Sequence, residues 1–298
     1  MTQSNTLKYT QQDEEAEIET IRARERARRL REARALADRM QVLPDGSRVF
    51  IRFTPRQRLQ HQILIGSFTA LGFTGLLQSF SRVGLISWII NALLGGIETL
   101  RTIHHLAAII FGLQAFFHAG EILYLWIVKR ERGSMWPAWN DLTGLIGMIK
   151  FNLNRAKERP LFDHFSIEEK MEYWALLWGT VIMGITGLFQ WFPLFVTSIL
   201  PGTAVPIART IHAWEAILAV LSILIWHLYH TVIKENNQSI FTGVMTEEEM
   251  KELHTLEYQR ILAAVGTVQK ASLQRQKESR QKQSVEAANE VAEIGTTD

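Results

Sequence analysis

Four histidines in two apolar stretches carry the chemistry open to this chain. Arg101-Thr102-Ile103-His104 opens one stretch, with His118 further along it. Arg209-Thr210-Ile211-His212 opens another, with His227 further along that one. The spacings are 14 and 15 residues. On a helix rising ~1.5 Å per residue, either spacing sets its two imidazoles ~21–23 Å apart. At ~100° per residue, 14 residues return to within ~40° of the starting face and 15 to within ~60°. Two histidines on one face, near opposite sides of a bilayer, on each of two helices, suit a pair of haems stacked across a membrane. An imidazole left idle in hydrocarbon is costly, so the duplication points to ligands.

Bis-histidine ligation needs two neutral imidazoles facing each other across a flat macrocycle, at equal depth, from different helices. His104 and His212 meet that requirement. Arg101 and Arg209, one turn before them, are placed to pair with haem propionates. For a second haem, His227 is the ligand from the later stretch, and its opposite number is His61 or His118. The internal repeat favours His118 and depth favours His61. His230, one turn past His227, is a candidate for a quinone, a propionate or a third haem. His105 points ~100° away from His104 and is expected to hydrogen-bond rather than ligate. Glu121 and Glu215 each follow a histidine by three residues, on the same helix face. An intramembrane carboxylate of this kind can orient a histidine or carry protons for a quinone.

Stepwise along the chain, the elements that position these residues can be read from composition. There are 298 residues, no cysteine and a net charge of +2. Disulfides, iron–sulfur ligation and covalent c-type haem attachment are excluded within the chain. The charges lie in two tails and one loop while the middle is apolar, which predicts a membrane protein with soluble extensions. The first sixty or so residues are polar and hold no signal-peptide pattern. Three regions follow: a charged arm over 1–53, a membrane domain over 54–234 and a tail over 235–298. In the arm, residues 1–12 read as a disordered lead-in and 13–40 as a helix rich in Glu, Arg, Ala and Leu. That helix is a solvated element or a docking surface for a partner subunit or anionic lipid. Leu43-Pro44-Asp45-Gly46 is a turn that ends it. Its arginines imitate a nucleic-acid binder, but the chain leads straight into membrane and no nucleic acid is expected.

Four spans are predicted, at about 57–80, 101–128, 171–195 and 208–233, with a short interfacial helix over 83–95. Trp136 and Trp139 are candidate interfacial anchors, and 142–153 reads as an amphipathic surface helix. Lys150, Arg155, Lys157, Arg159 and Lys170 make that loop basic. Gly179, Gly184 and Gly187 permit close approach of a backbone or a flat ligand. Thr246-Glu247-Glu248-Glu249 resembles a capping box for a helix over 246–265, and the last twenty-odd residues are expected to be disordered. The distribution of Lys and Arg over the loops predicts that both termini are cytoplasmic.

At these residues the chain resembles the membrane cytochrome b subunits of formate dehydrogenase N (its gamma subunit) and of the nickel-iron hydrogenases, over roughly 54–260. Thr54-Pro55-Arg56-Gln57-Arg58 with His61, Thr69, Leu71, Thr74 and Gly75 is similar to that family's first helix, and residues 101–104 to its second. Phe165 to Lys170, Tyr173-Trp174 and Thr186-Gly187 resemble the third. His212 and Trp226-His227-Leu228-Tyr229 resemble the fourth, and Thr242-Gly243-Val244-Met245-Thr246 the break that follows it. The resemblance implies an all-α, four-helix integral membrane bundle in the inner membrane, holding two b-type haems. It implies electron transfer between a partner subunit, such as a periplasmic cytochrome or iron–sulfur protein, and menaquinone or ubiquinone. It assigns one haem to His104 and His212 and the other to His61 and His227, with His118 an addition. Where the formate dehydrogenase subunit has a quinone-binding Asn before its third helix, this chain has Ser166. The alternatives are a three-haem version of the same protein and a haem-free membrane scaffold or transporter.

Overall fold

A computed structural model describes residues 2–130, 133–158 and 160–294. In chain order its elements begin with α1 (Thr2–Ala37), β1 (Met40–Val42), β2 (Arg48–Ile51), α2 (Pro55–Ser79), α3 (Gly84–Ala92) and α4 (Ile97–Ile127). Then come α5 (Trp139–Asn152), α6 (Ile167–Trp191), α7 (Pro193–Ile199) and α8 (Ala204–Leu221). Helix α8 continues through two π-helical segments, Ser222–His227 and Tyr229–Lys234. The chain closes with α9 (Ser239–Thr242), β3 (Val244–Thr246), α10 (Glu247–Leu253) and α11 (Thr255–Ile294). Helix makes up 77% of the chain, so the predominantly helical expectation stands. The chain divides into two units: Arg52–Met245, and Met1–Ile51 together with Thr246–Asp298.

Three helices of the Arg52–Met245 unit are long and apolar enough to cross a membrane: α4, α6, and α8 with its π continuation to Lys234. Only 6%, 6% and 0% of their most apolar windows is buried within the protein. Phe116, Trp214, Ile225 and Trp178 point outward. A water-soluble fold buries such side chains; here the apolar surface faces out over whole helices, which identifies lipid as the solvent. The unit is built as two similar halves. Helix α2 packs on α4, with the short α3 folded onto α4; α6 packs on α8, with the short α7 folded onto α8; α2 also meets α8.

Local sequence sets where each helix starts. Thr54 caps α2: its hydroxyl accepts the Gln57 N–H, the Gln57 side chain accepts the Thr54 N–H, and Pro55 takes the first helical position. Ser166 caps α6 in the same way with Glu169. That box starts α6 four residues before the expected Met171, and Phe192-Pro193 ends it at Trp191, with Pro193 opening α7 rather than closing the same helix. Beside the α6 start, buried Arg52 bonds Glu169 at 3.2 Å and His164 at 2.8 Å and lies 4.7 Å from the Phe165 ring. Lys170 pairs with Asp141 of α5 at 2.9 Å. Of the expected interfacial tryptophans, Trp139 is exposed, while Trp136 packs against Trp126 and Trp174. Arg159 of the basic loop lies outside the described residues.

The other unit corrects two expectations and adds an element. Helix α1 begins at Thr2, so residues expected as an irregular lead-in are helical; like the rest of α1 they contain no Gly or Pro. Helix α11 runs to Ile294 through Ala-, Glu-, Gln- and Lys-rich sequence, so the expected disordered end is helical that far, and 295–298 lie outside the described residues. The turn after the arm joins a hairpin: β1 and β2 pair antiparallel with Met40 opposite Phe50. Asp45 accepts from the Ser47 hydroxyl and backbone N–H, which holds its carboxyl below the usual range, and Gly46 takes φ +83° to close the turn. Arm and tail pack together, α1 on α11. Phe50, Met250 and Ile261 form a small core, with Phe50 edge-on to Tyr258 at 5.5 Å. Glu257, 1% exposed, is paired with Arg39 at 2.7 Å. The expected capping box at Thr246 is present: its hydroxyl accepts the Glu249 N–H, and Glu249 accepts the Thr246 N–H.

Candidate functional site

His104 of α4 and His212 of α8 face each other with ring centroids 6.4 Å apart. Each is held by the helix it packs against, in the same way. Thr74 of α2 donates its hydroxyl hydrogen to the Ala70 carbonyl at 2.6 Å, so toward His104 Nδ1, 2.8 Å away, its oxygen can only accept. Thr186 of α6 donates to the Ile182 carbonyl at 2.7 Å and accepts from His212 Nδ1 at 2.9 Å. Both imidazoles therefore carry their proton on Nδ1 and keep an Nε2 lone pair free. The residue after each threonine is a glycine. A Cβ on Gly75 would lie 3.3 Å from His104 Cε1, and one on Gly187 would lie 3.3 Å from His212 Cε1. One turn on, Gln78 and Gln190 each donate to the backbone carbonyl of their threonine.

A second imidazole pair lies on α2 and α8. His61 and His227 have ring centroids 6.3 Å apart. Glu172 of α6 accepts from His227 Nδ1 at 2.7 Å; His61 Nδ1 is buried without a hydrogen-bond partner. His227 closes the π segment Ser222–His227. A π turn takes up one extra residue. The 15-residue spacing in α8 thereby brings His227 to the helix face that 14 residues reach in α4, which accounts for the mismatch in the repeat.

The counterpart of this pair in the other half is different. His118 on α4 does not meet His227. Its Nδ1 faces Gln60 Oε1 of α2 at 3.0 Å, and its Nε2 faces Tyr173 Oη of α6 at 3.2 Å. Gln60-His61 on α2 and Glu172-Tyr173 on α6 occupy matching positions, so Tyr173 stands where the first half has His61, and Gln60 stands where the second has Glu172.

A metal–imidazole bond of about 2.0–2.1 Å, with ring nitrogens about 1.1 Å from the ring centroid, would put the centroids of two imidazoles sharing one iron between them about 6.3 Å apart. Both pairs fit that span, three of the four rings are oriented by a hydrogen bond on Nδ1, and glycine leaves room beside the α4–α8 pair. The donors available at each pair are imidazole nitrogens alone, a set of the kind that could ligate a haem iron. Among the described residues no cluster of three or more His, Asp and Glu could hold a single ion.

The remaining predicted residues are placed as follows. Arg101 is salt-bridged to Glu98 at 2.7 Å, and Arg209 is exposed. Glu121 does not reach its neighbour His118 directly; Arg56 donates to it at 2.9 Å and Gln60 at 2.7 Å. Glu215 packs against Gly179, where a Cβ would come within 2.9 Å of its Oε1, and the acceptor for His212 is Thr186 instead. His230 donates Nδ1–H to the Trp226 carbonyl at 2.9 Å. His105 stacks on Trp191 at 4.1 Å and 12°.

Sequence reasoning passed over the residues that hold the histidines. The signal was present: Gly72-Phe73-Thr74-Gly75-Leu76-Leu77-Gln78 recurs as Gly184-Ile185-Thr186-Gly187-Leu188-Phe189-Gln190. Paired with the recurring Arg-Thr-Ile-His, it marks the unit as a tandem duplication, α2-α3-α4 followed by α6-α7-α8. Glu172 and Tyr173 gave no such signal, being unlike their counterparts. No protein-family model matches the chain, and no curated protein matches it.

Proposed function

We propose that the chain is a four-span dihaem cytochrome b, the membrane subunit of a respiratory redox complex that passes electrons between a partner protein and the quinone pool. The observation that carries this reading is the pair of facing imidazole couples at 6.3 and 6.4 Å, both within the span two axial ligands require. His104 and His212 hold one haem, and His61 and His227 hold the other. Along α8 the two sites are 15 residues apart, about 20 Å of helix, a distance that carries an electron across most of a bilayer. Haem b, once bound, supplies a one-electron iron centre at each pair. The protein's part is to fix the ligands: Thr74, Thr186 and Glu172 engage Nδ1 and leave Nε2 available. Arg101 and Arg209, at the helix starts beside His104 and His212, face the aqueous edge where propionates emerge.

Helix α2 is the fourth span. Its 25 residues reach about 37 Å, and no charge falls between Arg58 and Arg82. Its lower hydropathy comes from Gln60, His61, Ser67, Thr74 and Gln78, several of which serve the site. The crowding of Lys and Arg in the arm, the α4–α6 loop and the tail supports cytoplasmic termini in an inner membrane. The α4–α8 pair then lies toward the periplasm and the α2–α8 pair toward the cytoplasm. The resemblance to the cytochrome b subunits of formate dehydrogenase N and nickel-iron hydrogenases agrees with this assignment. A three-haem form would need His118 as a ligand, and its Nε2 is engaged by Tyr173.

Pyridine hemochrome analysis of the purified chain tests the reading. Two haems per polypeptide and a reducible Soret band are expected, and His212→Leu should remove one. Absence of a Soret band from assembled protein refutes the cytochrome, and a ratio of three refutes the two-site assignment.

A further inference from the structure

We propose that Tyr173 and His118 form a proton-donating dyad that binds the carbonyl oxygen of a quinone and protonates it as it is reduced. The proposal deepens the cytochrome reading and rests on it for the electron source.

The hydrogen bonds leave a single polarity for this cluster. Glu121 accepts from Arg56 at 2.9 Å and from Gln60 Nε2 at 2.7 Å. The Gln60 amide is thereby turned so that its Oε1 faces His118 Nδ1, which must donate to it at 3.0 Å. With Nδ1–H pinned, only Nε2 of His118 can gain or lose a proton, and it faces Tyr173 Oη at 3.2 Å. When His118 is neutral, Tyr173 donates to it. When His118 is an imidazolium, Nε2–H donates to Tyr173, and the phenol hydrogen is released to donate to an outside acceptor. The charges facing the dyad are Glu121 and Arg56; Glu172, beside Tyr173 in sequence, is committed to His227. Arg56 links the cluster to the exposed start of α2.

The layer in which this happens identifies the substrate. Gln60 adjoins His61, and Tyr173 adjoins Glu172, so the dyad sits level with the α2–α8 imidazole pair and is its counterpart in the duplicated half. One half of the layer presents two metal-binding rings; the other presents a phenol and an imidazole, a proton source. An acceptor that takes electrons and protons at an oxygen, from within a membrane, is a quinone. Reduction of each carbonyl oxygen to hydroxyl adds one electron and one proton. A haem held at the α2–α8 site would supply the electron; the proton at the bound oxygen moves from Tyr173 Oη. A proton passes in turn from His118 Nε2 to Tyr173 Oη, leaving phenol and neutral imidazole. Water at the Arg56 end restores the proton on His118. The other oxygen takes its electron from the same source and its proton from water.

The test uses the full-length protein in lipid nanodiscs, with menadione and menadiol as probes. Calorimetry should show menadione binding that Tyr173→Phe weakens about tenfold, in haem-loaded and haem-free protein alike. In stopped flow, menadiol should reduce the haem at least tenfold more slowly in Tyr173→Phe, at unchanged haem content. His118→Gln should abolish the pH dependence of that rate. Wild-type binding and wild-type reduction rate in Tyr173→Phe overturn the dyad. Absence of haem from the wild type refutes the cytochrome reading instead, and the calorimetry still decides the binding site.

Discussion

Replacing Thr74 with Val tests whether the hydroxyl, rather than packing, sets the ligand state of His104. Valine matches threonine in shape but offers no acceptor to the His104 Nδ1–H now 2.8 Å from Thr74 Oγ1. Thr74 is 3% exposed, so water does not readily take its place. A lost hydrogen bond of this kind costs about 1 kcal/mol, and an N–H left buried without a partner costs about 1–3 kcal/mol. Groups that orient a metal-ligating histidine typically change metal affinity 10–100-fold. The variant should therefore bind the haem of the α4–α8 site about tenfold more weakly and the other haem normally. Because Thr186 holds His212 by the same geometry, Thr186→Val should do the same, and the double variant should lose most haem at that site. Haem transfer to apomyoglobin, followed by Soret absorbance, measures this. A less basic imidazole also stabilises ferric iron less, so the midpoint potential of that haem should rise by a few tens of millivolts, where 59 mV is tenfold for one electron. Thr74→Ser should behave as wild type. Wild-type haem affinity and potential in Thr74→Val would refute the reasoning.

On the proposed dihaem assignment, Glu172→Ala should release preferentially the haem that His61 and His227 would hold, since Glu172 is the hydrogen-bonded partner of His227 at 2.7 Å; redox titration of the two haems resolves which is lost. Glu257→Ala leaves Arg39 without its buried carboxylate and should destabilise the tail unit by about 3 kcal/mol, read as earlier loss of helical circular dichroism on heating. Hydrogen bonds from Tyr258 and Lys251 hold the Glu247 carboxyl below its usual range. Its contribution is present above the ordinary carboxylate range and lost as pH falls through the folded value. Melting of this unit should decline on acidification below about pH 4.5, the unperturbed value, and Tyr258→Phe should flatten that decline.

Much of this molecule was legible as sequence because hydrophobic length and residue spacing are local properties. The charge-free runs located the helices to within a few residues, and the repeated Arg-Thr-Ile-His singled out His104 and His212. The capping box at Thr246 could be read because cap chemistry is settled within four residues. Helix starts were misjudged where the cap lay outside the apolar run, as at Ser166. The outer ends of the arm and tail, residues 1–12 and the last twenty-odd, were underestimated because helix propensity without an apolar face was read as disorder. The hairpin of β1 and β2 is too short for its periodicity to register.

What the chain alone could not settle was which ring faces which. The repeat in sequence pairs His118 with His227, whereas the folded chain brings His61 to His227 and gives His118 to Tyr173 and Gln60. Spacing along one helix specifies depth and face, but the partner across the gap depends on how helices pack. The π-helical segment Ser222–His227 also shifts the register of the residues that follow it. Which groups hold the imidazoles is likewise a tertiary outcome. Thr74, Thr186 and Glu172 lie on helices other than those of the histidines they orient, so the protonation pattern that would suit those histidines to ligation exists only once α2 meets α4 and α6 meets α8.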